Sequence, residues 1–269
     1  TLTPDTTRFR STRHKEAALQ LVEPLWLSAK SQPKACNSAF NTWKDAGLLT
    51  DELTWQRITL AMSKGRTQLA RHLAKPLDTI DRKWVNLWIK SHRNPSQILS
   101  HSEPSLSHPM ASTIQLHAVK RQARTDIDKA VHLWHSLAET HIFTAQEQYQ
   151  AYRYIGLKMA RSHHPDAESW LSLIPVSQAD KATTEWLIRT SIRHANWQQT
   201  LDSIESLPAR DQADLRWQFW WAYASEQLGH KLDAEGIYHY LAHRRSYYGF
   251  LAADRLELPY AFENRPLDI

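Results

Sequence analysis

The sequence predicts an all-α fold, and three observations predict it. Glycine is scarce, at 6 of 269 residues, while Trp is abundant at 12; a chain poor in glycine and rich in Ala, Leu, Gln and Arg favours helix over tight turns. No Asn-Gly or Asp-Gly dipeptide, the strongest short-range signal of a β-hairpin, occurs in it. Helix starts at Ala130, Ala167, Leu201 and Ala234 are separated by 37, 34 and 33 residues, each with an apolar residue three positions on (Leu133, Trp170, Ile204 and Ile237). A period near 34 is that of tetratricopeptide hairpins. Each hairpin buries its second face only against its neighbours, so the expected product is a superhelical α-solenoid with a concave side. The tetratricopeptide consensus is poorly matched, and the repeat is degenerate.

Taken in order, residues 1–12 (TLTPDTTRFRST) read as a lead-in or cut end. A helix is expected over Arg13 to Lys30, with Ala18, Leu21 and Leu25 inward, broken by Ser31 to Lys34 around Pro33. Helix resumes from Ala35 to Ala46 with Phe40 and Trp43 on one side, and Gly47 closes it. Asp51 is the expected N-cap of Glu52 to Ser63, where Trp55, Ile58 and Met62 share a face, and Gly65 ends that helix. Short helices follow at Gln68 to Ala74, stopped by Pro76, and at Asp81 to Ser91, with Trp84, Leu87 and Trp88 inward. Residues 100–109 (SHSEPSLSHP) are the clearest loop and the expected place for a hinge.

The last long unit, Arg216 to Leu256, reads as helix, turn, helix, helix. Trp217, Trp220, Trp221, Ala224 and Leu228 are spaced to share one face, and Gly229 ends the run. Ala234, Ile237, Tyr238 and Leu241 form the next stripe, and Tyr247, Phe250 and Leu251 the third.

A 42% apolar and 23% charged chain matches the globular average, so neither disorder nor a coiled-coil rod is indicated. The formal charge of +5 comes from Lys and Arg spread along the chain, which argues against a nucleic-acid reader built on a basic stripe. No run approaches the 18 apolar residues of a membrane span. The single cysteine, Cys36, excludes a disulfide within the chain.

Few residues offer chemistry. His132 and His135, and His239 and His243, have the spacing of metal ligands on one helical face. Neither pair has a third ligand at a recognisable distance, so surface histidines are the expected reading and no metal is assigned. Cys36 has no adjacent base and reads as a small apolar group. Trp197 and Trp220 could stack on sugar rings, but tryptophans at helical spacing are expected in the core. No phosphate loop, nucleophile elbow or supported carboxylate pair occurs. No catalytic, cofactor or metal residue is expected within these 269 residues.

Two stretches resemble the soluble lytic murein transglycosylases. Leu25 to Phe40 (LWLSAKSQPKACNSAF) is similar to that family's LWL-x-G-x-S-x-P-x-ACD-x-x-F segment, here through Trp26, Cys36 and Phe40. The unit from Arg216 to Leu256 is similar to its RWxYWxA run, Gly-turned helix pair and R-x-x-YYGFLAA-like close, here through Trp217, Tyr247, Tyr248, Gly249 and Phe250. WQRITLAMSKGRTQLARHLA, between them, also fits.

The resemblance implies a periplasmic protein in which residues 13–262 are an α-superhelical domain shaped as a horseshoe or ring segment, and residues 263–269 start a linker to a separate lysozyme-like domain. There, one glutamic acid would cleave the β-1,4 bond from N-acetylmuramic acid to N-acetylglucosamine, leaving a 1,6-anhydro product. Glu168-Ser169 and Glu205-Ser206 lack the marks that follow the catalytic Glu-Ser of the family, so no catalytic residue carries over. Two departures stand out: Ser28-Ala29 stands where the family's LWL-x-G segment has its glycine, and residues 1–12 hold no cysteine to pair with Cys36, so the bridge the family often has is absent or lost to truncation. The partners implied are peptidoglycan glycan strands. The rival expectation is a free-standing helical-repeat scaffold that binds cell-wall synthesis proteins.

Overall fold

The structure, a computed structural model, describes residues 19–100 and 108–262, all helix, turn and loop with no strand among them. The expected lead-in at 1–12, most of the 100–109 loop and the linker at 263–269 lie outside the described residues.

The chain divides into two compact units, one of Thr1–Gln122 with His135–His141, the other of Ala123–Trp134 with Ile142–Ile269. The first contains α1 (Val22–Trp26), α2 (Asn37–Asp45), α3 (Asp51–Ser63), α4 (Thr67–Leu73), α5 (Thr79–Arg93) and α6 (Ala111–Gln122); α7 (Ile127–Thr140) is divided between the units. The second contains α8 (Ala145–Arg161), α9 (Ala167–Ser172), α10 (Lys181–Arg193), α11 (Trp197–Glu205), α12 (Ala209–Gln212), α13 (Leu215–Gln227), α14 (Lys231–Ala242) and α15 (Tyr247–Arg255).

In the second unit the long helices pack on near neighbours along the chain: α8 with α9 and α10, α10 with α11, α11 with α13, and α13 with α14 and α15. Contact between sequence neighbours is how helical-hairpin arrays are built. The four counted repeat starts are all buried, Ala130 in α7, Ala167 in α9, Leu201 in α11 and Ala234 in α14. Each is on the second helix of a pair, so the period marks hairpins.

The turns repeat as well. After α2, α3, α8, α10, α13 and α15 comes a residue with positive φ: Gly47, Gly65, His163, Ala195, Gly229 and Glu257. At each, two backbone bonds close the helix end. After α13, for example, Gly229 N–H donates to Glu226 and His230 N–H reaches back to Ser225, satisfying carbonyls the helix leaves open. Half of these positions hold residues with a Cβ, which costs strain in the left-handed region.

Helix starts are set by short polar side chains. The structure corrects the expected Asp51 cap: Thr50 is the N-cap, its hydroxyl accepting from Leu53 N–H at 3.2 Å, and Asp51 and Glu52 fill the first turn. Acids there favour the helix dipole whether or not they cap. Asp78 caps α5, Asp180 caps α10, and Thr144 forms a reciprocal capping box with Glu147 on α8.

Two further expectations are corrected. The first helix stops at Trp26 rather than Lys30, and its expected inward residues Leu21 and Leu25 are 70% and 51% exposed while Val22 is buried. Ala35 to Cys36 enters α2 through a 3-10 turn, Lys34–Cys36. In α13 the buried residues are Trp217, Phe219, Ala222, Ala224 and Ser225, whereas Trp220 and Trp221 are half-buried and Leu228 exposed. The reason is that α13 has cores on two sides. Trp217 joins Ile188, Ile204 and Leu207, and Phe219 and Ala222 join Ala234, Tyr238 and Leu241. A single stripe describes only half of such a helix.

Candidate functional site

In the first unit α1 and α2 pack so that Trp26 meets Phe40 edge to face at 5.3 Å and lies 5.9 Å from Trp43. From α3, Arg57 lays its guanidinium 4.2 Å from the Trp26 ring centroid and 5.7 Å from that of Phe40. Arg57 is only 4% exposed. Its Nη2 donates to the Lys30 carbonyl at 3.3 Å, its Nε is buried without a partner, and burial lowers its pKa from the ordinary value. The aromatic faces supply what a carboxylate would otherwise give, since cation–π attraction reaches about 2 kcal/mol when the pair is desolvated.

Beside this cluster is a cavity of about 590 Å³ with Trp26 and Phe40 in its wall. Its polar lining is Asn37, Asn41 and Lys44 from α2, Thr54 from α3, and His72 and Lys75 around the end of α4. No carboxylate is among the lining residues. Trp26 Nε1 is buried and has no hydrogen-bond partner.

A second cavity in the same unit, about 860 Å³, has the opposite charge. Asp51, Glu52, Asp78 and Asp81 line it with Leu60 and Ile80. Asp81 accepts from Trp55 Nε1 at 3.0 Å and pairs with His108 Nε2 at 2.8 Å. His108 stacks on Trp84 at 5.1 Å, and its Nδ1 accepts from Met110 N–H at 3.1 Å. That bond places the imidazole proton on Nε2, facing Asp81. The pair therefore resembles two-thirds of a catalytic triad but has its other nitrogen occupied by a backbone amide, leaving no base for a nucleophile. It fixes the residues around Met110 rather than moving a proton. Sequence reasoning missed this arrangement, because 27 residues separate the partners and His108 stands in a Ser/Pro-rich stretch.

The motif residues of the second unit have structural surroundings. Trp217 is 1% exposed, with Arg216 4.2 Å and Arg189 5.3 Å from its ring centroid. Tyr248 packs against Phe219 at 5.7 Å, and Phe250 lies between Tyr260 and Phe262. A Cβ on Gly249 would fall 2.0 Å from the Arg244 carbonyl oxygen and 2.8 Å from that of Leu241, so only glycine permits α15 to start this close to the end of α14. Tyr247 departs from the core role expected of these aromatics: it is 69% exposed. Cys36 is free and half-buried in the turn before α2.

The two Glu-Ser pairs are also tied into the fold. Glu168 accepts from Asn196 and pairs with His194 at 3.0 Å, and Glu205 accepts from Trp221 Nε1 at 2.9 Å. His239 lies 3.9 Å from Glu235 on an exposed face, and His132, His135 and His243 are exposed too. Among the described residues no three His, Cys, Asp or Glu gather closely enough to hold a metal ion.

No protein-family model matches the chain. The soluble lytic murein transglycosylase of Salmonella typhimurium is 26% identical over 255 residues, covering 94% of this chain and 39% of that protein. The Escherichia coli K12 enzyme of the same name is 23% identical over 247 residues, 91% of this chain and 38% of that protein. An inactive mutant of the lytic transglycosylase Slt from Pseudomonas aeruginosa superimposes with a TM-score of 0.78 at 32% identity, over 97% of this chain and 43% of that one.

The chain is a homologue of the soluble lytic murein transglycosylases. It spans about two-fifths of the length of the relatives it matches. The 70-kDa soluble lytic transglycosylase, solved in complex with bulgecin A, matches in fold with a TM-score of 0.69 at 21% identity. Of the residues that carry the resemblance, Trp26 lies in a cavity wall, Trp217 in a core and Gly249 at a close helix contact.

Proposed function

We propose that the chain is the amino-terminal, non-catalytic superhelical region of a periplasmic peptidoglycan lytic transglycosylase, and that it binds or orients murein strands. A separate carboxyl-terminal domain would then cleave the β-1,4 bond between N-acetylmuramic acid and N-acetylglucosamine to the 1,6-anhydro product. The observation that carries this reading is the match over nearly the whole chain, in sequence and in fold, to about two-fifths of each relative.

The chemistry of the chain supports the division of labour. Both Glu-Ser carboxylates are occupied by fold-stabilising partners, and the Asp81–His108 pair has its outer nitrogen capped. A glycosidic acid needs a proton and room beside the leaving oxygen, and neither arrangement offers them. No helix among the described residues is long and apolar enough to cross a membrane.

Chromatography of muropeptides released from purified sacculi tests the reading. The chain alone is expected to release no 1,6-anhydro products, whereas a fusion to a lysozyme-like catalytic domain of the family releases them. Release by the chain alone contradicts it. A pull-down that recovers a cell-wall synthesis protein but no murein supports the rival scaffold.

A further inference from the structure

We propose that the cavity of about 590 Å³ beside the Trp26–Phe40 pair is a binding site for a carboxylate-bearing saccharide. Its volume is within the range of small-molecule sites, which combine apolar walls with a few convergent polar groups. Trp26 and Phe40 supply the aromatic wall, and Arg57, packed against both, holds their edge-to-face geometry. Sugar rings offer apolar C–H faces to such walls and hydroxyls to amides.

The polar groups specify charge. Lys44, Lys75 and His72 reach this one cavity, together with the Asn37 and Asn41 amides. Among the described residues none of these five side chains has an internal hydrogen-bond or ion-pair partner. The Trp26 ring forms part of the wall, and its buried indole N–H, which has no partner, reports on changes beside it. With cations and donors but no carboxylate in the lining, an anionic ligand is favoured and a cationic one opposed. The 860 Å³ cavity is lined instead by Asp51, Glu52, Asp78 and Asp81, with His108 beside them.

Identifying the saccharide as a muramic acid unit rests on the murein-binding reading above; the charge and size of the site do not. Muramic acid bears a carboxylate on its lactyl ether, and N-acetylglucosamine is the neutral sugar that lacks it. Lys44 and Lys75 are exposed, so K44Q and K75Q together leave the packing untouched.

The experiment follows the indole N–H resonance of Trp26, assigned by its loss in Trp26→Phe, while either sugar is titrated into the whole chain. Saturable shifts are expected with N-acetylmuramic acid, with N-acetylglucosamine at least tenfold weaker. The double Lys variant should bind the acid about tenfold more weakly, because charge-assisted hydrogen bonds are the stronger kind. No response of Trp26 at saturating sugar, equal binding of the two sugars, or an unchanged affinity in the double variant overturns the assignment. Retention of the chain on sacculi without a Trp26 response overturns the cavity alone. Saccharide binding without retention leaves the cavity standing and removes the murein reading.

Discussion

The two units solve the problem of packing helices differently. In the second, buried residues, helix-closing turns and neighbour contacts recur with the hairpin period. In the first, cavities of about 590 and 860 Å³ open between the helices, while pairs 26 to 27 residues apart occur in both units, as Asp81 with His108 and Glu168 with His194. Both described cavities lie in the first unit, so packing is tested best in the repeat and ligand binding in the first unit.

The largest expected effect comes from removing a core ring in the repeat. Trp217→Ala should destabilise by roughly 3–5 kcal/mol, the usual cost of deleting a fully buried Trp, and strand the cations packed on it. Trp26→Ala, at a partly exposed ring, should cost less than half of that. Chemical denaturation of both variants checks the contrast, and equal losses would break it.

Next is Gly249→Ala. The new methyl would overlap the Arg244 carbonyl, and the backbone must shift, at a cost of about 1–3 kcal/mol for an overpacked site. A melting temperature within error of the natural chain would show that α15 is free to move away from α14.

Smaller effects test the turns. Gly229, at φ +93° and with open space around its missing Cβ, should lose about 1 kcal/mol on mutation to Ala through backbone strain alone. Ala195→Gly, at φ +54°, should gain a similar amount, despite the extra freedom of glycine in the unfolded chain. Thermal denaturation should therefore move in opposite directions for these two exchanges.

The smallest effect is electrostatic. Burial raises the pKa of Asp180, but hydrogen bonds from Arg153 and Thr183 outweigh it and hold the carboxyl at about 2, below its ordinary 3.8. A folded pKa below the unfolded one gives stability that is present above pH 3.8 and lost as pH falls through about 2. Asp180→Asn should remove that part of the acid dependence while keeping an acceptor for the Thr183 N–H. An unchanged acid limb in urea titrations would assign it to other carboxylates.

The repeat was legible because periodicity is a local signal: Ala130, Ala167, Leu201 and Ala234 were countable, as were the stops at Gly47, Gly65 and Gly229. The same kind of stop at Ala195, His163 and Glu257 carries no mark in residue type, since these residues take the left-handed conformation without being glycine. Thr50 and Asp51 are adjacent and both suit a helix start, so only geometry separates the cap from the first turn. Nothing in the local sequence marks Arg57 for burial, since the Trp26 stack that covers it exists only in three dimensions. Both cavities were illegible for that reason: their walls come from segments that periodicity treats as unrelated.

The most direct test of the murein-binding account is co-sedimentation of the purified chain with peptidoglycan sacculi at low and at physiological salt. The account predicts saturable retention at low salt that weakens as the salt rises, because the chain is cationic and exposed charges are screened. A chain that stays in the supernatant at low salt, while folded by circular dichroism, would contradict it.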